Sequence, residues 1–240
     1  MHYVLGDIHN ELRKLKSILD QIHLGVEDEL IVLGDIFDRG ADEPDPVGVY
    51  FELCKIQEKC TWVRGNHDQW LADYINKYYG ASERKRRKMS YYWYNSFELM
   101  KDRLTPVDML NLADLILELP LQVEREIDGK QYLFAHAMTF QPGNIVKDEY
   151  YLEGNYNLDS FIFEGIEGYI SMCGHTPTGN LTSRKDLYLD EAKESIWCNE
   201  RKNVYLLDCG CGFSTGKLAC LCIETGERYY CCAPLSLTYN

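Results

Sequence analysis

The sequence predicts an α/β fold that carries its functional groups at the carboxyl ends of strands. In the first third of the chain, apolar stretches of strand length alternate with stretches of helical periodicity. Five apolar stretches also run straight into a short segment rich in His and Asp: Gly6-Asp7-Ile8-His9, Gly34-Asp35-Ile36-Phe37-Asp38-Arg39-Gly40, Gly65-Asn66-His67-Asp68, Phe134-Ala135-His136-Ala137 and Gly174-His175-Thr176-Pro177. Open α/β sheets place their ligands at such positions.

The elements follow in order. Tyr3 to Leu5 is a short strand, and Leu12, Leu15, Leu19 and Ile22 then recur at helical spacing. Leu30 to Leu33 is a second strand. Asp45 and Pro46 form an N-cap and first-turn pair that opens a helix with Val47, Tyr50, Phe51 and Cys54 on one face. Thr61 to Val63 is a third strand, and a helix through Leu71, Tyr74, Ile75 and Tyr78 stops at Gly80. Thr105-Pro106 opens another helix, with Leu110, Ala113 and Leu117 on its face and Pro120 beyond its end. Leu121, Val123, Arg125 and Ile127 alternate, and the Asp128-Gly129 turn returns the chain as a hairpin through Tyr132 and Phe134 to His136. Residues 139–165 are weakly patterned and read as a long loop or partly helical rim. Tyr169 to Met172 is the strand before His175, and Val204 to Leu207, Lys217 to Ile223 and Arg228 to Cys231 close the chain as mainly antiparallel strands.

A chain of 240 residues buries one good core, so residues 1–240 are expected to form a single domain. Met1 to Leu5 lead directly into Asp7, leaving no room for a secretory signal, and no apolar run approaches the ~20 residues that span a bilayer. A cytoplasmic protein without membrane partners is the expectation. The ten cysteines then read as reduced core thiols rather than a disulfide framework. Cys209 with Cys211, and Cys220 with Cys222, are expected to share strand faces. A net charge of -13 argues against general nucleic-acid binding, which needs clustered cations. The basic run Arg84-Lys85-Arg86-Arg87-Lys88 has two readings: a solvated face, or a lid or docking surface for an anionic substrate.

The five segments supply enough His and Asp for two divalent ions, and the absence of Cys from them argues against a closed structural zinc site. In order and content they resemble the phosphoprotein phosphatase branch of the calcineurin-like metallophosphoesterases, whose pattern runs GDxHG, GDxxDRG, GNHE, a later His after a strand, and GHTP. The small bacterial and phage serine/threonine protein phosphatases and the symmetrical dinucleoside tetraphosphate hydrolases are similar in form. Val204-Tyr205-Leu206-Leu207-Asp208-Cys209-Gly210 looks like their closing strands.

The resemblance implies a two-sheet, four-layer αββα sandwich and two divalent metals, manganese foremost, with iron or zinc as alternatives. It assigns Asp7, His9 and Asp35 to the first metal and Asp35, Asn66, His136 and His175 to the second, with Asp35 as the bridge. It makes His67 a general acid paired with Asp38, and Arg39 a phosphate-binding residue; Arg64 is a second candidate cation. The implied reaction is hydrolysis of a phosphate monoester, on a phosphorylated protein or a small phosphate ester. The oligomeric state is left open.

Departures from the pattern carry weight. Asn10 replaces the usual Gly and Asp68 the usual Glu; Asn also adopts positive φ and Asp keeps the charge. Ala137-Met138 stands for Gly-Gly, which predicts a narrower approach to the second metal. The family commonly has a further phosphate-binding arginine between the last two metal histidines. Residues 137–174 contain none, and Lys147, the only basic residue there, is the candidate substitute, as a point charge without a bidentate fork. Three readings follow: a serine/threonine protein phosphatase, a dinucleoside tetraphosphatase with aromatics around Tyr91 to Tyr94 or Tyr150 to Tyr156 stacked on a base, and a catalytically weak phosphate-binding scaffold.

Overall fold

Strand side chains alternate between faces, and this alternation builds the layers. The computed structural model describes residues 1–41, 43–91, 95–179 and 195–231. One sheet contains β1 (His2–Leu5), β2 (Glu29–Val32) and β3 (Cys60–Trp62), with β9 (Leu218–Cys222) and β10 (Arg228–Cys231) beside β1. Its order is β10-β9-β1-β2-β3, parallel across β1, β2 and β3 and antiparallel at β9 and β10. The second sheet contains β4 (Gln122–Ile127), β5 (Lys130–Ala135), β6 (Ile170–Cys173), β7 (Trp197–Cys198) and β8 (Val204–Leu206), in the order β4-β5-β6-β8-β7. Its centre, β5, β6 and β8, is parallel.

Three apolar clusters define four layers. Val4, Ile31, Val123, Phe134, Met172 and Leu221 interlock between the two sheets. The opposite faces of β1 and β2 turn Tyr3, Leu5, Leu30 and Val32 toward the helices α1 (Leu12–Ile22), α2 (Pro46–Cys54), α3 (Asn66–Tyr79), α4 (Glu83–Arg86), α5 (Ser96–Met100) and α6 (Pro106–Glu118), of which α1, α2, α3, α5 and α6 send buried side chains into this cluster. Cys173, Val204 and Leu206 meet Phe161 and Ile162 on the far side of the second sheet; these belong to α8 (Leu158–Glu164), which follows α7 (Asp148–Glu153). Each fully buried Leu or Ile in such a layer contributes about 1.5–3 kcal/mol relative to exposure. The architecture is the expected αββα sandwich.

Local signals place several element ends. Asp45 accepts from the Gly48 N–H at 2.9 Å and caps α2, and Thr105 accepts from the Asp108 N–H at 3.2 Å and caps α6. Other expectations are corrected. The buried side of α2 is Pro46, Val47, Val49 and Leu53, with Phe51 exposed, and that of α6 is Met109, Leu112, Ala113 and Ile116. Both helices are apolar on more than one side, so periodicity alone does not select the face; contact with α1 and α3 does. Helix α3 starts at Asn66, so Asn66, His67 and Asp68 form a helical first turn rather than a loop. Cys209 and Cys211 lie beyond β8 and point into different clusters, while Cys220 and Cys222 share one. Cys54, Cys60, Cys173, Cys198, Cys209, Cys211, Cys220 and Cys222 are free thiols, and burial raises the pKa of Cys173, Cys209 and Cys220.

A buried ion pair also braces the motif loops. Lys14, in α1, lies 3.5 Å from Glu11 and donates to the Gly216 carbonyl at 3.2 Å, while Glu11 accepts from the Ala41 N–H at 2.9 Å. No helix among the described residues is long and apolar enough to cross a membrane.

Candidate metal centre and active site

Each motif follows a strand: Asp7 and His9 come after β1, Asp35 after β2, Asn66 after β3, His136 after β5 and His175 after β6. The backbone there is costly. Ten non-glycine residues among those described have positive φ, and six are His9, Asn10, Asp35, Asp38, Arg39 and His175. Left-handed backbone costs such residues on the order of 1–3 kcal/mol each and clusters where function demands it. Asn10, at φ 63, takes the conformation for which Gly is usual. Close approach explains two glycines: a Cβ at Gly65 would lie 2.3 Å from the Asp35 backbone nitrogen, and one at Gly174 would lie 2.1 Å from Asp7 Oδ1.

The loops bring two groups of donors together around one carboxylate. His9, Asp35 and His67 form the first group, and Asp35, His136 and His175 the second. Asp35 Oδ2 is 3.7 Å from His9 Nε2 and 3.9 Å from His67 Nε2, and Asp35 Oδ1 is 3.3 Å from His136 Nε2. Asn66 Oδ1 joins the second group, 2.9 Å from His136 Nε2 and 3.0 Å from His175 Nδ1. Asp7 stands slightly apart, 3.9 Å from His9 Nε2, with its oxygens accepting from the His175 N–H at 3.1 and 3.2 Å.

The donor chemistry fits divalent cations. His9 Nδ1 lies 3.1 Å from the Phe37 carbonyl and His136 Nδ1 lies 2.8 Å from that of Leu33, so Nδ1–H donates and Nε2 keeps its lone pair for a metal. His136 Nε2 and His175 Nδ1 approach to 3.2 Å. At that separation a proton joins the two nitrogens, and a bound cation would take its place.

Electrostatics point the same way. Burial and the neighbouring Asp208 carboxylate push the Asp7 pKa well above its usual range. Burial alone would raise Asp35 as well, but the charges of His136 and His67 hold it well below the ordinary carboxylate value. Burial lowers His9 and His175 to about 3. For His136 the Asp35 charge overcomes burial and raises the pKa to about 10. Bound dications would relieve this crowding of buried carboxylates and imidazoles.

The remaining candidates divide. Asp38 and His67 are brought together, with Asp38 Oδ2 3.4 Å from His67 Nδ1 and both residues buried. Arg39 Nη1 is 3.4 Å from His9 Nε2, and its guanidinium lies 4.9 Å from the centre of the Phe213 ring. Arg64 donates instead to Gln69 Oε1 at 2.8 Å. Lys147 is 70% exposed at the N-cap of α7, 3.3 Å from Glu149 and 5.6 Å from the Tyr150 ring centre. The structure thus gives Arg64 and Lys147 partners outside the metal groups. Met138 packs into the cluster beneath the second sheet. In the basic run, Arg86 donates to the carbonyls of Tyr78, Tyr79 and Ala81 and so closes the end of α3. Tyr92, Trp93 and Tyr94, candidates for base stacking, lie outside the described residues.

Two kinds of residue escaped the sequence reading. Asp208 is buried, accepts from the Gly210 N–H at 2.8 Å through Oδ1, and has no hydrogen-bond partner for Oδ2 among the described residues. Burial first, and then the Asp35 charge, raise its pKa to about 6. Its signal was its place after an apolar run, Val204 to Leu207, the same form as the five motifs. Tyr91, singled out only as an aromatic for base stacking, and Asn95 and Ser96, which carried no signal, contact the Asp38-Arg39 turn.

A protein-family model for calcineurin-like phosphoesterases matches residues 3–206. An uncharacterized protein of Methanocaldococcus jannaschii is 28% identical over 201 residues, 80% of this chain and 72% of its own length. The symmetrical bis(5'-nucleosyl)-tetraphosphatase of Erwinia tasmaniensis is 31% identical over 137 residues, 56% of this chain and 43% of its own length. The match thus spans less than half of that relative. Two solved structures share the fold. A Saccharomyces cerevisiae protein serine/threonine phosphatase has a TM-score of 0.59 at 13% identity, covering 98% of this chain and 80% of its own. A metallophosphoesterase from Sphaerobacter thermophilus has a TM-score of 0.52 at 18% identity, covering 97% and 87%.

Proposed function

The chain belongs to the calcineurin-like phosphoesterase family and is a metal-dependent phosphoester hydrolase, and we propose that it hydrolyses phosphate monoesters, with phosphoserine and phosphothreonine in proteins as its substrate class. In this reading residues 1–240 act as one catalytic domain. Asp7, His9 and Asp35 hold one ion and Asp35, Asn66, His136 and His175 the other, manganese being the preferred metal. Such a pair supplies water activation and stabilisation of charge on the phosphoryl oxygens.

The observation that carries the substrate class is the buried Asp38–His67 pair. A serine or threonine alkoxide is a poor leaving group and needs a proton as the P–O bond breaks. Asp38 Oδ2 lies 3.4 Å from Nδ1, and on the other side of the ring Nε2, 3.9 Å from Asp35, faces the ligand groups as the proton donor. Water adds to phosphorus as the bond to the alcohol oxygen breaks, the alcohol leaves with the proton from His67, the proton released by the water goes to the phosphate product or to solvent, and His67 is reprotonated from solvent, with no covalent enzyme intermediate. Arg39, beside His9, is suited to grip phosphate oxygens through its planar fork. A nucleoside polyphosphate leaving group is already a stable anion and gains little from that proton.

A second reading, hydrolysis of dinucleoside tetraphosphates, is favoured by the relatives that carry that name and by Phe213, a half-exposed ring under the Arg39 guanidinium that could stack on a base. The deciding experiment is kcat/KM of the manganese-loaded protein on phosphoserine and phosphothreonine peptides, phenyl phosphate and diadenosine tetraphosphate. The first reading expects the peptides to exceed diadenosine tetraphosphate by at least about ten-fold, on the order of 1.4 kcal/mol in transition-state binding. The reverse order replaces it with the second.

A further inference from the structure

Asp38 is held from a part of the chain that carries none of the five motifs. Its backbone has φ 66 and its side chain is fully buried. The segment leading into α5 surrounds it: Ser96 N–H donates to Asp38 Oδ1 at 3.2 Å, the Asp38 N–H donates to Ser96 Oγ at 2.7 Å, and Tyr91 donates its hydroxyl to Asp38 Oδ2 at 2.8 Å. Asn95 continues the brace by donating to the Arg39 carbonyl at 2.7 Å. Oδ2 is also the oxygen that faces His67 Nδ1 at 3.4 Å.

We propose that Tyr91 is a positioning residue for the leaving-group proton donor: its hydroxyl fixes the plane of the Asp38 carboxylate and thereby aims His67. With Oδ1 tied to Ser96 and Oδ2 to Tyr91, the carboxylate cannot turn about its last bond, and Oδ2 is kept 3.4 Å from the imidazole Nδ1. The phenol is itself anchored. Its ring packs on Tyr74 at 4.7 Å between centroids, and Tyr74 meets the buried Phe97 edge-on at 4.8 Å. Tyr74 belongs to α3, the helix whose first turn carries His67. The hydroxyl therefore joins the helix that bears the proton donor to the turn that orients it. A ring in this place without the hydroxyl would keep the packing and lose the aim. The inference rests on the reading of His67 as general acid.

The test is Tyr91→Phe, assayed with manganese on phenyl phosphate, whose leaving oxygen needs a proton, and on 4-nitrophenyl phosphate, whose leaving group does not. General acid catalysis is worth roughly 10²–10⁴-fold, and losing its orientation is expected to forfeit about ten-fold in kcat on phenyl phosphate. On nitrophenyl phosphate the loss should stay under about two-fold, with KM and metal content at parent values. A Tyr91→Phe enzyme with parent kinetics on both substrates, or with equal losses on both, overturns the proposal. His67→Asn, run alongside, separates the two ideas. If it shows the leaving-group dependence and Tyr91→Phe does not, the positioning role alone falls; if His67→Asn loses equally on both substrates, the general-acid reading falls and takes the proposal with it. The double variant guards against a simple loss of stability. Acting through His67, Tyr91→Phe should add less than about two-fold to the His67→Asn loss on phenyl phosphate, and full additivity would overturn the role.

Discussion

Gly174→Ala probes the proposed metal centre without replacing any candidate ligand. A Cβ built at Gly174 would sit 2.1 Å from Asp7 Oδ1 and 3.2 Å from its Cγ. The Gly174 backbone does not require positive φ, so alanine fits the chain and the conflict falls on the carboxylate. That carboxylate is the free end of a side chain, held by the His175 N–H, and it is the part that yields. It must move by about 1 Å, whereas ligand distances hold to within about 0.2 Å. On the proposed assignment, Asp7 is thereby lost to the ion it would share with His9 and Asp35. Manganese affinity at that position should fall by about 100-fold or more, since even outer partners of ligands cost roughly 10–100-fold. A misplacement of about 1 Å also costs on the order of 100-fold in rate. Calorimetric titration of the metal-free protein with manganese, kinetics on 4-nitrophenyl phosphate and a melting curve measure the three consequences. A melting curve near that of the parent is expected because no backbone contact is violated, in contrast to Gly65→Ala, whose Cβ meets the Asp35 backbone nitrogen. Two manganese ions bound at parent affinity, with kcat/KM within about three-fold, would refute the placement of Asp7 at the metals.

Other consequences are equally direct. Asp68 accepts from the N–H groups of Ile36, Phe37 and Gly65 at 2.9, 3.3 and 3.0 Å; Asp68→Ala should cost about 3 kcal/mol or more by stranding buried donors. That is roughly a 6–12 °C fall in melting temperature for a chain of this size, and a shift under about 2 °C would show that other acceptors take over. Lys147→Ala should leave kcat/KM within about two-fold, because Lys147 is exposed and paired with Glu149; a ten-fold loss would restore it as a phosphate ligand. In the metal-free protein, His136 is raised from 6.5 to about 10, opposed by burial and driven by Asp35. A raised histidine contributes stability that is whole below its unfolded pKa and is lost as pH rises through the folded one. The melting temperature of the metal-free protein should therefore carry a destabilising slope between pH 6.5 and about 10 that His136→Gln removes. An identical slope in that variant would contradict the assignment.

What the sequence determined by itself is what neighbouring residues decide: the Asp45 and Thr105 caps, the hairpin at Asp128-Gly129, the strands, and the motif segments that end them. Each depends on hydrogen bonds or periodicities spanning a few residues. That the segments carrying His9, Asp35, Asn66, His136 and His175 gather at one edge was legible because strands of parallel sheets deliver their loops to one edge, while their division between two metals came from the family resemblance alone. Only the tertiary structure decided which faces of α2 and α6 are buried, because apolar residues on several sides leave that choice to the neighbouring helices. It turned Lys147 to solvent, set Arg64 on Gln69 and brought Asp208 to the Asp7 carboxylate. It also set Tyr91 on Asp38, 53 residues away in the chain. Local chain geometry does not encode a contact across such a separation; packing of Tyr91 against Tyr74, and of Tyr74 against Phe97, brings it about.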